Sequence, residues 1–188
     1  MEFEWANSLV VSGARDGSVA VWDINTGSPI QQLACHQGPV SKIAFFSDGM
    51  SNNIYITTGG KDGVMAIHDM RTNQLIKKER IHGGAINFLD TSLSSFIVTG
   101  SADKSVKKFD VMSGFKLRAS MPATDAVFCG KIVNNNLAIV GCGDGNILAF
   151  DLDKDQCLYG YGADQVGAVH CLAPTEDYSG LITGGDSG

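Results

Sequence analysis

His, Ser or Thr, and Asp recur together along this chain at regular spacing. His36, Thr58 and Asp62 form one set, and His82, Thr99 and Asp103 another. Ser12 and Asp16 form a partial set with Trp22, and Asp144 is what remains in a fourth. A hydroxyl beside an imidazole that a carboxylate orients is the chemistry of acyl transfer. That chemistry needs one exposed nucleophile next to an oxyanion hole. Here the same set returns in successive segments, which marks a structural habit, so no catalytic residue is assigned. His36 and His68 are a conceivable metal pair, but no third ligand stands at metal-binding spacing. Neither metal nor cofactor is therefore expected.

The sets sit in a larger repeat. A Ser/Thr-Gly or Val-Gly pair is followed by a tight turn ending in Asp, then by an aromatic-Asp pair. The copies are Ser12–Asp16 with Trp22-Asp23, Thr58–Asp62 with His68-Asp69, Thr99–Asp103 with Phe109-Asp110, and Val140–Asp144 with Phe150-Asp151. A fifth begins at Thr183-Gly184. The period is roughly 41–46 residues, the signature of a β-propeller. Each copy divides into four short apolar runs separated by turn residues, and helical periodicity is not sustained. In the second copy the runs are 40–46, 54–58, 64–68 and 75–78; the third and fourth repeat the order. The turns after the second runs carry Asp-Gly or Asp-Lys, a strong hairpin signal. Four antiparallel strands per copy make a propeller blade. The expected blades are 1–33, 34–79, 80–121, 122–162 and a partial 163–188 of a single domain.

Composition narrows the function classes. With a net charge of −6 the chain lacks the basic surface that nucleic-acid binding requires. No apolar run of 18 residues suggests a membrane span, and Met1–Trp5 lacks the basic and apolar blocks of a signal peptide. The five cysteines are odd in number and contain no C-x-x-C pair, which fits reduced thiols beside strands. A cytoplasmic or nuclear location, not a secreted one, is the expectation.

Trp22-Asp23 is the dipeptide that names the WD40 family, and the chain resembles that family over nearly its whole length. His36 and His82 stand where the family places the His of its Gly-His signature, although Cys35 and Ile81 replace the Gly. The resemblance implies an all-β WD40 propeller, about four and a half blades present of seven. It also implies a buried hydrogen-bonded set in each blade: loop His, strand Ser/Thr, turn Asp and Trp. In the second blade His68 takes the Trp position and can still donate. In the third, Phe109 cannot. The fourth has Val140 and Phe150, so it should rest on apolar packing, with Asp144 capping its turn.

The family commonly docks partners on the face built by the loops before the first strands and the turns after the second. Carried onto this chain, the turn positions are Arg15, Lys61, Ala102, Gly143 and Asp186, and the loop positions Gln37, Gly83, Asp125 and Gln165. Arg15 and Lys61 are basic in an acidic chain, which suits an acidic or phosphorylated peptide. The run Lys77–Arg80 reads as a solvated outer edge, and Trp5 as core. The expected function is a non-enzymatic scaffold that holds proteins in a larger assembly, part of a longer propeller or completed by another chain. The alternative is the substrate-binding arm of a ubiquitin ligase that reads acidic or phosphorylated peptides. An enzyme built on this chassis lacks a Gly-rich phosphate loop that opens a helix; Gly141–Gly145 runs from strand to strand.

Overall fold

The computed structural model describes residues 2–4, 8–47, 53–91, 96–134, 136–162, 167–175 and 178–186; of residues 2–4 it describes the backbone alone. Trp5 and Gln165 lie outside the described residues. The described residues form strands β1 to β18 and no helix, so no helix is long and apolar enough to cross a membrane. Four sheets have four strands each, in the orders β1 (Glu2–Glu4), β2 (Leu9–Gly13), β3 (Ser18–Asp23), β4 (Ser28–Ala34); β5 (Val40–Ser47), β6 (Ile54–Gly60), β7 (Val64–Asp69), β8 (Gln74–Arg80); β9 (Ile86–Thr91), β10 (Phe96–Ser101), β11 (Ser105–Asp110), β12 (Lys116–Pro122); and β13 (Val127–Val133), β14 (Leu137–Cys142), β15 (Asn146–Asp151), β16 (Gln156–Gly162). β17 (Val169–Pro174) and β18 (Leu181–Gly185) pair with each other as a fifth sheet. All pairings are antiparallel between strands consecutive in sequence. The chain divides into two compact units, Met1–Ile86 and Asn87–Gly188.

The alternation of apolar residues fixes which strands are covered on both faces. β6 (Ile54–Gly60), β10 (Phe96–Ser101) and β14 (Leu137–Cys142) are mostly buried, as strands packed on two sides must be. The fourth strands, β4 (Ser28–Ala34), β8 (Gln74–Arg80), β12 (Lys116–Pro122) and β16 (Gln156–Gly162), are mostly exposed.

In the first unit, Val11, Val19 and Val21 pack with Ile43, Ile56 and Ala66 of the next sheet, closing over Cys35. In the second unit, Phe88, Val98, Val106 and Met121 meet Val127, Val140, Leu148, Phe150 and Leu152. Cys129 and Ile147 in turn meet Val169 of the fifth sheet.

The Gly of each Ser/Thr-Gly or Val-Gly pair has a packing reason. A Cβ on Gly13, Gly100 or Gly141 would lie 2.6, 2.7 and 2.7 Å from a methyl of Val40, Val127 and Val169 respectively. Those valines open the first strand of the following sheet: β5 (Val40–Ser47), β13 (Val127–Val133) and β17 (Val169–Pro174). The glycine thus lets one sheet settle on the next.

A bulge follows each of those valines, so Ser41, Phe128 and His170 are extra residues that the ladder does not pair. The first strands also reach across to the next sheet. Ser41 Oγ donates to the carbonyl of Ile86, Asn87 Nδ2 to that of Val127 at 2.9 Å, and Cys129 Sγ to that of Val169 at 3.4 Å. Sequence pattern alone did not single these residues out.

Candidate functional site

In the first unit the turns and loops at one end of the sheets are laced together by the backbone. The turn 14–17 joins β2 (Leu9–Gly13) to β3 (Ser18–Asp23), and the turn 61–63 joins β6 to β7 (Val64–Asp69). The loop 35–39 runs between them. His36 N donates to Gly17 O at 3.2 Å, Val40 N to Ala14 O at 3.1 Å, and Lys61 N to Pro39 O at 2.9 Å. The following loop is hung in the same way: Ile81 N and His82 N both donate to Gly63 O. Arg15, Gln37, Lys61 and Gly83 therefore share one rim, and all four are exposed. Among the described residues, neither the Arg15 nor the Lys61 side chain has an ion-pair or hydrogen-bond partner. Arg80 braces this rim through its Nε to His82 O and its Nη2 to Gly83 O, both at 3.3 Å. That corrects the reading of 77–80 as merely a solvated edge: its last member turns back onto the loop.

Under the rim lies the buried polar set. His36 Nε2 is 2.9 Å from Thr58 Oγ1, and Nδ1 is 3.2 Å from Asp62 Oδ1. Asp62 also accepts from Gln37 N at 2.9 Å and Val64 N at 3.1 Å. Burial tends to raise the Asp62 pKa, but these donors outweigh it and hold the carboxyl below its ordinary value. Burial lowers the pKa of His36, opposed by Asp62, so the ring is neutral near pH 7. A carboxylate can only accept, so Nδ1–H donates to Asp62 and Nε2 accepts from the Thr58 hydroxyl.

This is the connectivity of a nucleophilic triad, yet Thr58 is fully buried. A hydroxyl that no substrate can reach does not attack one, and the set instead ties the loop to the turn. Nor do three His, Cys, Asp or Glu side chains converge as a metal would need among the described residues.

The other copies differ in kind. In the first, Trp22 Nε1 donates to Ser12 Oγ at 3.0 Å, while Asp16 caps the turn by accepting from Ser18 N and Oγ. In the second, His68 does not take over the donor role of the tryptophan. Its Nε2 faces Cys35 Sγ at 3.7 Å and its buried Nδ1 has no hydrogen-bond partner among the described residues. The imidazole is shorter than an indole and falls short of Thr58. Burial lowers the His68 pKa and pushes the Cys35 thiol up to about 11.

His82 and Thr99 are buried, and Asp103 accepts from Ser105 N and Oγ. Asp144 accepts from Asn146 N and Nδ2, capping its turn, and from the Thr124 side chain of the preceding loop; Val140 and Phe150 of its sheet are fully buried.

In the second unit the equivalent rim positions are occupied differently. Asp125 is not free for a ligand, because Lys104 Nζ holds it at 2.6 Å; each group shifts the other's pKa, Lys104 up and Asp125 down. Lys104 sits at φ 65°, where the other turns place glycine. Asp186 accepts from Ala168 N at 3.0 Å and lies 2.6 Å from His170 Nε2, which lowers its pKa. Ala102 is exposed and Gly143 half-buried, and neither brings a functional group to the rim.

The family WD domain, G-beta repeat, matches residues 3–23 and 27–69, the first sheet and the first three strands of the second. Residues 3–69 thus carry WD40 repeats. Its fold is that of part of a WD40 β-propeller. A crystal structure of the computationally designed Ika8 protein matches all of this chain with a TM-score of 0.85 and 26% sequence identity. The match covers 55% of that chain, so this chain spans about half its length. WD40 repeats build protein-interaction scaffolds, and the family is generally not enzymatic.

Proposed function

We propose that this WD40 chain is a non-catalytic docking platform in a multi-subunit assembly, one segment of a longer or jointly built propeller. Its first unit takes acidic or phosphorylated peptides on the rim of Arg15, Gln37, Lys61 and Gly83. One observation carries the reading. Two exposed cations, without ion-pair or hydrogen-bond partners among the described residues, stand on consecutive turns of an acidic chain, and the loop 35–39 ties both turns in place. Fixed cations lose little freedom when they meet a carboxylate or phosphate, and such charge-assisted pairs are the strong ones. The same chemistry would serve the substrate arm of a ubiquitin ligase. On this reading the polar set beneath the rim keeps the loop in register, and Asp125 is a brace, not a contact.

The test is binding of fluorescein-labelled phosphoserine and Glu-rich peptides, with Lys-rich peptides as controls, to the native chain and to Arg15→Glu with Lys61→Glu. The native chain should bind the acidic probes, more weakly as salt rises. The double variant should lose them while keeping its β-type circular dichroism. Equal binding by the charge-reversed chain would dismiss this face.

A further inference from the structure

The seam between the first two sheets and the seam between the third and fourth share one plan but carry opposite charge. In the later seam Lys108 of β11 crosses to the next sheet and meets Leu152 O and the Asp155 carboxylate. The same places can be found in the earlier seam. Val21 of β3 stands where Lys108 does, each just before the shift in pairing with its fourth strand. Met70 stands where Leu152 does: Met70 N donates to Ile54 O at 3.0 Å and Leu152 N to Asn136 O at 2.8 Å, closing the same end of each hairpin. Asn73 and Asp155 share one left-handed backbone conformation, both at φ 56°. Valine and asparagine thus replace the lysine and the aspartate, and the crossing ion pair has no counterpart in the first unit.

In its place is a cleft of about 350 Å³. Leu9, Ile30, Ile54 and Met70 give it apolar walls, and Leu9 and Met70 rest in turn on the buried core of the unit. Both sheets that form the cleft have all four strands, so the cleft belongs to the seam itself. Ile30 is the extra residue of the bulge in β4 and is 51% exposed, which leaves the cleft open on that side.

Among the described residues Arg71 is the one charged side chain that lines it. Arg71 stands where the later seam has Asp153, two residues before the left-handed Asn73 or Asp155. In each seam the asparagine ahead of the second strand holds that side chain. Asn136 Nδ2 donates to Asp153 Oδ2 at 2.7 Å, whereas Asn53 Oδ1 accepts from Arg71 Nε at 3.0 Å. Asp69 feels the Arg71 charge, but it is buried and accepts from Arg71 N and Thr72 N. Among the described residues the guanidinium makes no hydrogen bond beyond Asn53 and no ion pair. An arginine steadied at Nε keeps its Nη donors, whose planar geometry matches a carboxylate.

We propose that this cleft binds a short segment of a partner protein in which an Asp or Glu stands beside an aliphatic side chain. The carboxylate meets Arg71 and supplies the negative charge that the seam lacks. The aliphatic side chain lies among Leu9, Ile30, Ile54 and Met70. Sites for small molecules bury most of the ligand's surface. A cleft with a half-exposed lip instead suits two side chains of a longer segment. The site lies at the far end of the strands from Arg15 and Lys61: β2 and β6 run from Leu9 and Ile54 at the cleft to the turns 14–17 and 61–63 at the rim. The proposal rests on the reading of the chain as an assembly platform. It uses no residue of the rim, so the two ideas fail separately.

The probe is a fluorescein-labelled, amidated peptide, Gly-Ser-Glu-Leu-Gly-Ser, titrated with the full chain and read by anisotropy. Control peptides carry Gln for Glu, or Ser for Leu. The native chain and the variant Arg15→Glu with Lys61→Glu should bind the probe alike, with amide shifts at Met70 to Asn73. Arg71→Gln should weaken binding by about tenfold or more, and so should Ile30→Asp. Both residues are exposed, so the β-type circular dichroism should stay unchanged. That pattern supports the proposal. Equal binding by Arg71→Gln, or equal binding of either control peptide, overturns it. No binding by the native chain overturns it too, whether the cleft stays empty or the chain itself fills it. Displacement of the probe by hexanoate at the concentration of unlabelled peptide would make a free acid the occupant. Self-association that Arg71→Gln abolishes would make a second copy the occupant, and either result overturns the partner segment.

Discussion

Asp16, Asp62 and Asp144 occupy the same place in the first, second and fourth repeats, and removing each carboxylate should have unequal consequences. Asp62 accepts three hydrogen bonds: from Gln37 N, Val64 N and His36 Nδ1. Bonds to an ionised group are worth about 1.5–3 kcal/mol each, but three that share one carboxylate are not additive. The Asp62 side chain is 15% exposed, so water recovers part of the loss. The expected cost of Asp62→Ala is about 2–4 kcal/mol. At about 2–4 °C per kcal/mol for a chain of this size, the melting temperature should fall by about 10 °C. Asp16 accepts only from Ser18, in solvent, so Asp16→Ala should be a mild change. Asp144→Ala should fall between the two, because Thr124 of the preceding loop as well as the neighbouring Asn146 supports its carboxylate. Urea unfolding of all three variants, followed by tryptophan fluorescence and circular dichroism, gives the comparison. Asp62→Asn keeps an acceptor oxygen and should recover part of the loss. Equal destabilisation by Asp62→Ala and Asp16→Ala would refute the view that the second repeat's polar set ties its loop to its turn.

Two further outcomes follow from buried ionisable groups. Lys108 is 2% exposed, with its ammonium against Asp155 and Leu152 O and 4.4 Å from the centre of the Phe96 ring. Lys108→Ala should cost about 3 kcal/mol in urea unfolding, and Lys108→Met clearly less, because methionine keeps the stem that packs on the ring; equal losses would count against the packing part. Burial lowers the folded-state pKa of both His36 and His68 from the ordinary 6.5. The unfolded chain then binds more protons as pH falls below 6.5, so their contribution is complete above that pH and is lost on acidification. The melting temperature should therefore drop from pH 7 to pH 5, at no more than about 1.4 kcal/mol per pH unit for each histidine. Asp62, held below its ordinary value, adds its own loss only below about pH 4. A flat profile between pH 7 and 5 would contradict the burial of the two rings.

Much of the fold was legible because a repeat states its rule several times. The runs 40–46, 54–58, 64–68 and 75–78 lie inside β5 to β8, which extend them by one to three residues. The turn aspartates were readable because Asp before Gly or Lys, between two apolar runs, has few other uses. The donor role expected of His68 was not met, because an imidazole in an indole's place reaches Cys35 and leaves Thr58 to His36. Asp125 looked available until the positive-φ Lys104 was found beside it. Lys108 was invisible as a buried cation, since nothing in Ser105–Asp110 says that a turn 44 residues on will close over it.

By itself the amino-acid order determined the strands, their turns, the period and the WD40 kinship, all of which depend on neighbours along the chain. Only tertiary structure decided which polar groups meet, which cations stay unpaired on the rim, and which seam between sheets holds a cleft beside Arg71. Those facts turn on contacts between segments some twenty to forty-five residues apart. Side-chain reach and burial settle such contacts to within an ångström, and a repeat pattern does not encode them.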